Sequence, residues 1–232
     1  MPTDAASMEL QDEWLARYEA IALGNRKRLQ LLRELFAAWD AVGVEAIPIK
    51  GVDWLLRSYP GLGERSMDDC DIVVRPSDVD LARAVLGQRG LTEFQHRRPL
   101  IVESFFNQSL DYQTPGGEFE IDLAWNLWFD SGGRFRRRLV WRETAIGRRR
   151  LLHPHDALNV LVIDAVARRG YFSPFFVPDL RRLLAAEAKE LDWPAWVREN
   201  RAGGQQAALY HGLRYARQAG VEQIPESILR AL

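Results

Sequence analysis

Cysteine is almost missing from this 232-residue chain. Cys70 stands alone, so no internal disulfide can form, and no Cys/His pairs stand at zinc-binding spacing. Lysine is scarce as well: Lys27, Lys50 and Lys189 are the only three among 31 basic residues, the rest being arginine. Net charge is lacking too, because 32 acidic residues bring the formal balance to -1. No overall field therefore draws the chain to an anionic membrane, and long nucleic acid is disfavoured as a partner. No apolar run approaches the roughly 18 residues of a membrane-spanning helix. The opening Met1-Pro2-Thr3-Asp4-Ala5-Ala6-Ser7 lacks the basic-then-apolar order of a secretory signal. A soluble, cytoplasmic protein is the expectation. What is present is apolar material at 47%, enough to bury a core of one moderate domain or a core with a smaller appendage.

Residues 9–23 and 26–41 read as two amphipathic helices, the second with Leu29, Leu32, Leu35, Phe36 and Trp39 at three- and four-residue steps before Gly43. The period then shortens. Val44 to Ile49 is β-prone and runs into Lys50-Gly51, after which residues 52–57 look helical. Tyr59 to Gly63 is a loop by its Pro and Gly content. Residues 69–74 read as a strand, and Ser77 is placed to cap a helix running to Gln88, with Gly90 after it. From 91 to about 151 the texture is strand-rich. Glu118 to Trp125 alternates strictly, setting Glu118, Glu120, Asp122 and Ala124 on one face and Phe119, Ile121, Leu123 and Trp125 on the other. The turn signal Thr114-Pro115-Gly116-Gly117 makes residues 105–112 its expected hairpin partner, and from His155 onward the pattern is helical. The expected organisation is α+β: N-terminal helices over 1–43, a mixed-sheet core flanked by helices over 44–150, and a helical C-terminal region over 151–232.

Two Asp-x-Asp pairs occur, where 16 aspartates give about one by chance. Asp78 and Asp80 fall in the first turn of a predicted helix, where its dipole favours acidic side chains. Asp69 and Asp71 instead open the apolar strand Ile72-Val73-Val74 and share one of its faces. Two carboxylates there repel unless a cation or a basic residue such as Arg65 or Arg75 neutralises them. Asp122 lies on one face of a second apolar strand, with Glu120 as rival or helper. Paired carboxylates with a third from a neighbouring strand suit two-metal phosphoryl and nucleotidyl transfer, because divalent magnesium takes hard oxygen ligands. Lys50, in a chain that otherwise prefers arginine, precedes Gly51 and a helix start, a combination suited to phosphate oxygens. Cys70 alternates away from its acidic neighbours and reads as packing. The runs Arg136-Arg137-Arg138 and Arg148-Arg149-Arg150 read as solvated faces, and His153 and His155 as loop and helix-opening residues.

Ile49-Lys50-Gly51, Tyr59-Pro60, and Arg65-Ser66-Met67-Asp68-Asp69-Cys70-Asp71-Ile72-Val73-Val74 together resemble the uncharacterised bacterial nucleotidyltransferases of the DNA polymerase beta-like superfamily. That family carries L-K-G, a Y-P near a loop, and R-x-M-x-D-x-D followed by apolar residues. Ile121-Asp122-Leu123-Ala124-Trp125 is similar to its later apolar-D-L-H-W stretch, and Asp179-Leu180 and Asp192-Trp193 fit its helical tail. The resemblance implies that Asp69 and Asp71 are paired metal ligands. Asp122 would be the third carboxylate, which also helps deprotonate the acceptor. Lys50, Gly51 and Arg65 would sit near the triphosphate. It implies two Mg2+ ions, with Mn2+ as a substitute, and an NTP, ATP foremost, whose NMP group passes to a small-molecule or peptide acceptor with release of pyrophosphate. Ala124 stands where the family usually has His, and Asp164 where a helical His is common. Those departures motivate the alternative of a catalytically inactive nucleotide-binding or partner-binding module on the same fold; a metal nuclease is a third reading.

Overall fold

The fold is that of a computed structural model, which describes residues 4–94, 109–127, 130, 133–169 and 172–232. It opens with α1 (Asp4–Ala41), a single helix of 38 residues rather than the two expected. Gly24 does not break it, since a glycine inside a helix costs only about 1 kcal/mol relative to alanine. Asn25, the next residue, is fully buried and donates from Nδ2 to the carbonyls of Leu62 and Arg65, both at 2.7 Å. The helix therefore gains an anchor where the sequence suggests an interruption. Its predicted stripe holds: Leu29, Leu32, Leu35, Phe36 and Trp39 are all buried, and Gly43 follows at φ +79°.

The chain next forms β1 (Ile47–Pro48), α2 (Lys50–Ser58), β2 (Asp69–Val73), α3 (Val79–Gln88), β3 (Thr92–Phe94), β4 (Ser109–Gln113) and β5 (Glu120–Ala124). The hairpin β6 (Val140–Thr144) and β7 (Gly147–Leu151) leads into α4 (Pro154–Ile163), which continues as a π-helical stretch over Asp164–Arg169. Then come α5 (Phe176–Ala186), α6 (Trp193–Gly203), α7 (Gln206–Gln218) and α8 (Glu226–Ala231). Ser77 does not cap α3. A short 3-10 turn over Pro76–Asp78 intervenes, Asp78 takes the cap position, and Ser77 Oγ donates to its Oδ1 at 2.7 Å. Asp192 does cap α6 as expected, accepting from the Ala195 N–H at 3.0 Å.

Two compact units interleave along the chain. The first comprises Met1–Ala46, Tyr59–Asn126 and Glu143–Arg148; the second comprises Ile47–Ser58, Leu127–Arg142 and Arg149–Leu232. In the first, the strands lie in the order β2-β5-β4-β3, with β2 parallel to β5 and the other pairs antiparallel. Parallel strands need a long crossover, here running through α3, β3 and β4, whereas β4 and β5 meet through a tight turn. Gly116 and Gly117 take φ +87° and +70° in that turn, a conformation natural only to glycine. The expected hairpin partner is thus observed as β4; residues 105–108 and His96 lie outside the described residues. Cys70, Ile72, Ile121, Leu123, Leu110 and Tyr112 form the apolar side of the sheet. Trp39 Nε1 donates to the Ala82 carbonyl at 3.2 Å, tying α1 to α3.

In the second unit every residue of α4 is buried. A Cβ at Gly212 would fall 2.5 Å from Val162 Cγ1, so a glycine is what lets α7 approach α4. A buried ionic network steadies α2. Arg57 donates to Asp53 Oδ1 and Oδ2 at 3.0 and 3.2 Å, to Glu187 Oε1 at 2.7 Å, and to the Leu152 carbonyl at 2.6 Å.

Candidate active site

The alternation expected from the sequence is what the strands display. On β2, Asp69 and Asp71 share a face, and on β5 so do Glu120 and Asp122. The parallel register pairs Asp69 with Glu120 and Asp71 with Asp122. Neighbouring strands lie roughly 4.8 Å apart, so register partners stand side by side on one face of the sheet. The antiparallel register extends both rows, pairing Asp122 with Asp111 and Glu120 with Gln113. Asp71, Asp122 and Asp111 thus form one row across three strands. Asp71 is 3% exposed, whereas Asp69, Asp111, Glu120 and Asp122 are half-buried.

Asp111 escaped the sequence reading because no local pattern marks it; only the hairpin register brings it beside Asp122. The donors of this face are carboxylate oxygens, with one amide, and such a set suits a hard divalent cation rather than zinc or copper. Among the described residues, no group of three or more His, Cys, Asp or Glu side chains is gathered so as to hold a metal ion.

Cys70, fully buried, points to the apolar side. Burial first, then the charges of Asp69 and Asp71, push its thiol up to about 12, with Arg28 acting in the opposite sense. Arg65 is half-buried in the loop before β2. Its Nη1 donates to the Ser66 carbonyl at 3.2 Å, and its own carbonyl is held by Asn25 of α1. A Cβ at Gly63, in the same loop, would fall 2.5 Å from the Tyr18 carbonyl oxygen, so the loop lies directly on α1.

Lys50 and Gly51 open α2 and belong to the second unit; Asp69, Asp71, Asp122 and Arg65 belong to the first. Lys50 has φ +48°, the one non-glycine residue with positive φ among those described. A side chain in this region costs of order 1–3 kcal/mol and persists only where its surroundings impose it. Gly51 is buried beside it in the chain.

Several other candidates prove structural. Asp80 is an exposed residue in the first turn of α3. Arg138 is not part of a solvated face. It donates to Asp156 at 2.6 and 2.5 Å and to Glu199 at 2.6 Å, and although burial opposes its charge these bonds hold it protonated beyond the ordinary arginine range. His153 caps α4, accepting from the His155 N–H at 3.2 Å, and its ring packs edge-on against that of His155.

Solved structures that share this fold include three nucleotidyltransferase or nucleotidyltransferase-like chains. The solution structure of the antibiotic-resistance factor ANT(2'')-Ia is 14% identical, with a TM-score of 0.53, over 82% of this chain and 99% of that one. The crystal structure of ANT(2'')-Ia with adenylyl-2''-tobramycin is 13% identical, with a TM-score of 0.50, over 68% and 88%. An antigenic nucleotidyltransferase-like protein from Paracoccidioides brasiliensis is 15% identical, with a TM-score of 0.52, over 88% and 92%. The fold is thus that of the nucleotidyltransferases, mixed α/β with a helical C-terminal region. Residues 2–219 match the family described as uncharacterised nucleotidyltransferase, and the chain belongs to it. No curated protein matches the chain. Among the described residues, no helix is long and apolar enough to cross a membrane.

Proposed function

We propose that this protein is a cytoplasmic nucleotidyltransferase that moves an NMP group from an NTP, ATP first among them, to a small-molecule or peptide acceptor with release of pyrophosphate. The observation that carries the reading is the register of Asp71 with Asp122 on adjacent parallel strands, with Asp69 two residues earlier on the same face. Asp69, Asp71 and Asp122 would hold two Mg2+ ions, for which their oxygen donors are suited. Bound there, the ions would supply charge neutralisation on the triphosphate and a lowered pKa for the attacking acceptor group. Asp122 also takes the acceptor's proton. Lys50, with the Gly51 backbone, and Arg65 bind triphosphate oxygens, the guanidinium through its planar fork and the ammonium as a point charge. The complex of ANT(2'')-Ia with adenylyl-2''-tobramycin supports a small-molecule acceptor.

Replacing Asp69 or Asp71 by Asn removes a metal ligand at nearly constant shape. Pyrophosphate release from ATP with Mg2+ is expected to fall by more than the roughly 10–100-fold that follows loss of a group merely supporting a metal ligand. Survival of the activity in both variants, with folding unchanged by circular dichroism, would refute the assignment. A second reading has its own observation. Ala124, at the end of β5, is buried and offers no proton-transfer group where the family resemblance puts a histidine. In that case the chain is an inactive nucleotide-binding or partner-binding module. Mg2+-dependent ATP binding, with no pyrophosphate formed across a wide acceptor panel, is its signature.

A further inference from the structure

Three arginines of the second unit, none of them assigned above to nucleotidyl transfer, line a cavity. The cavity, open to solvent, has a volume of about 500 Å³ and is lined by Tyr210, Arg214 and Arg217 of α7 and by Glu226, Leu229 and Arg230 of α8, of which Arg214, Glu226 and Arg230 are exposed. Small-molecule sites range over roughly 300–1,000 Å³, so the volume suits a modest organic ligand. Three guanidinium groups face one carboxylate, and that carboxylate is already engaged, since Glu226 Oε2 lies 3.1 Å from Arg217 Nε. Arg217 is held further by donating to the Ile224 carbonyl.

The other two arginines meet no carboxylate among the described residues. Arg214 donates from Nη1 to Tyr210 Oη at 2.6 Å, with its guanidinium carbon 5.7 Å from the centre of the same ring. Arg230 extends from α8, whose end is fixed in place. Arg201 Nε donates to the Ala231 carbonyl at 3.1 Å, and Gln206 Nε2 to the Leu232 carbonyl at 3.1 Å. Positive charges gathered in one concavity repel one another, and an anion relieves that repulsion. Guanidinium groups match phosphate oxygens in a two-bond geometry. Tyr210 and the buried Leu229 add an apolar wall. Glu226, Leu229 and Arg230 also lie beyond residue 219, where the family match ends.

We propose that this cavity binds a phosphate monoester carried on a small aromatic or apolar body, through residues distinct from those assigned to nucleotidyl transfer. Calorimetric titration of the full chain with phenyl phosphate tests it against the double variant Arg214→Ala, Arg230→Ala. The native chain is expected to bind, and the variant to bind at least tenfold more weakly with an unchanged melting temperature. Inorganic phosphate, lacking the ring, and benzoate, lacking the phosphoryl group, bind more weakly than phenyl phosphate. If the alanine variant melts early, Arg214→Gln with Arg230→Gln removes both charges at similar length and must show the same tenfold loss. The proposal is overturned if phenyl phosphate fails to bind, if it binds a folded double variant equally well, or if benzoate matches it.

Discussion

Cys70 sits between two acidic residues in the chain yet turns away from both into the apolar side of the sheet. With its thiol pushed up to about 12, chiefly by burial, almost no thiolate exists at neutral pH. A disulfide reagent is therefore expected to leave the native protein unmodified at mildly alkaline pH and to titrate one thiol after denaturation; rapid native reaction would place the sulfur elsewhere. His153 makes the opposite kind of statement about charge. Burial, then the neighbouring His155 and Arg138, favours its neutral ring and holds its pKa below the ordinary histidine value in the folded chain. The unfolded chain binds that proton more readily. The stability contributed by the neutral ring is complete above pH 6.5 and is lost as pH falls through the lower folded value. Urea midpoints should drop on acidification through this window, and His153→Asn, which puts a capping amide oxygen in place of the ring Nδ1, should flatten that part of the profile. An unchanged slope would dissociate His153 from the acid sensitivity.

At the scale of elements, the placement of α2 depends on charges buried within the second unit. Arg57 is 1% exposed in its side chain and serves both Asp53 and Glu187. Removing one partner of such a cluster leaves charge uncompensated in a medium that solvates it poorly. Arg57→Met is therefore expected to cost about 3–5 kcal/mol in denaturant unfolding. A loss under about 1 kcal/mol would mean that water replaces the guanidinium. α2 also begins at Lys50, which holds a left-handed conformation at φ +48°. α1 shows an element settled by contacts distant in sequence. Gly24-Asn25 reads as a break, but the bonds from Asn25 to the loop carrying Leu62 and Arg65 reward continuity.

For the molecule as a whole, the charge balance of -1 is achieved with arginine rather than lysine, and the arginines are used unevenly. Arg57 and Arg138 are consumed by internal carboxylates, whereas Arg214 and Arg230 line an open cavity. A long polyanion needs a continuous basic track, releasing counterions along its length. Double-stranded DNA is accordingly expected to show no saturable binding at about 0.15 M salt, where surface fields reach only about 8 Å. Tight, salt-dependent retention in a filter assay would contradict that reading. The two compact units each draw on three separate stretches of chain, a division in space, while the three-part organisation expected from the sequence divides the chain in order.

Local backbone geometry made several features legible without a structure. The two-residue period of a strand puts Asp69 with Asp71 and Glu120 with Asp122 whatever surrounds them, and the helical period marks the Leu29-to-Trp39 stripe. The cap at Asp192 and the turn at Gly116-Gly117 follow from equally local rules. Register, continuity and clustering were decided by the tertiary structure. That Asp71 meets Asp122, that Asp111 extends the row, that Asn25 anchors a distant loop, and that Arg214 and Arg230 share a cavity all depend on pairings between remote segments. A chain carries no local record of those pairings, because their energy exists only once the segments have been brought together.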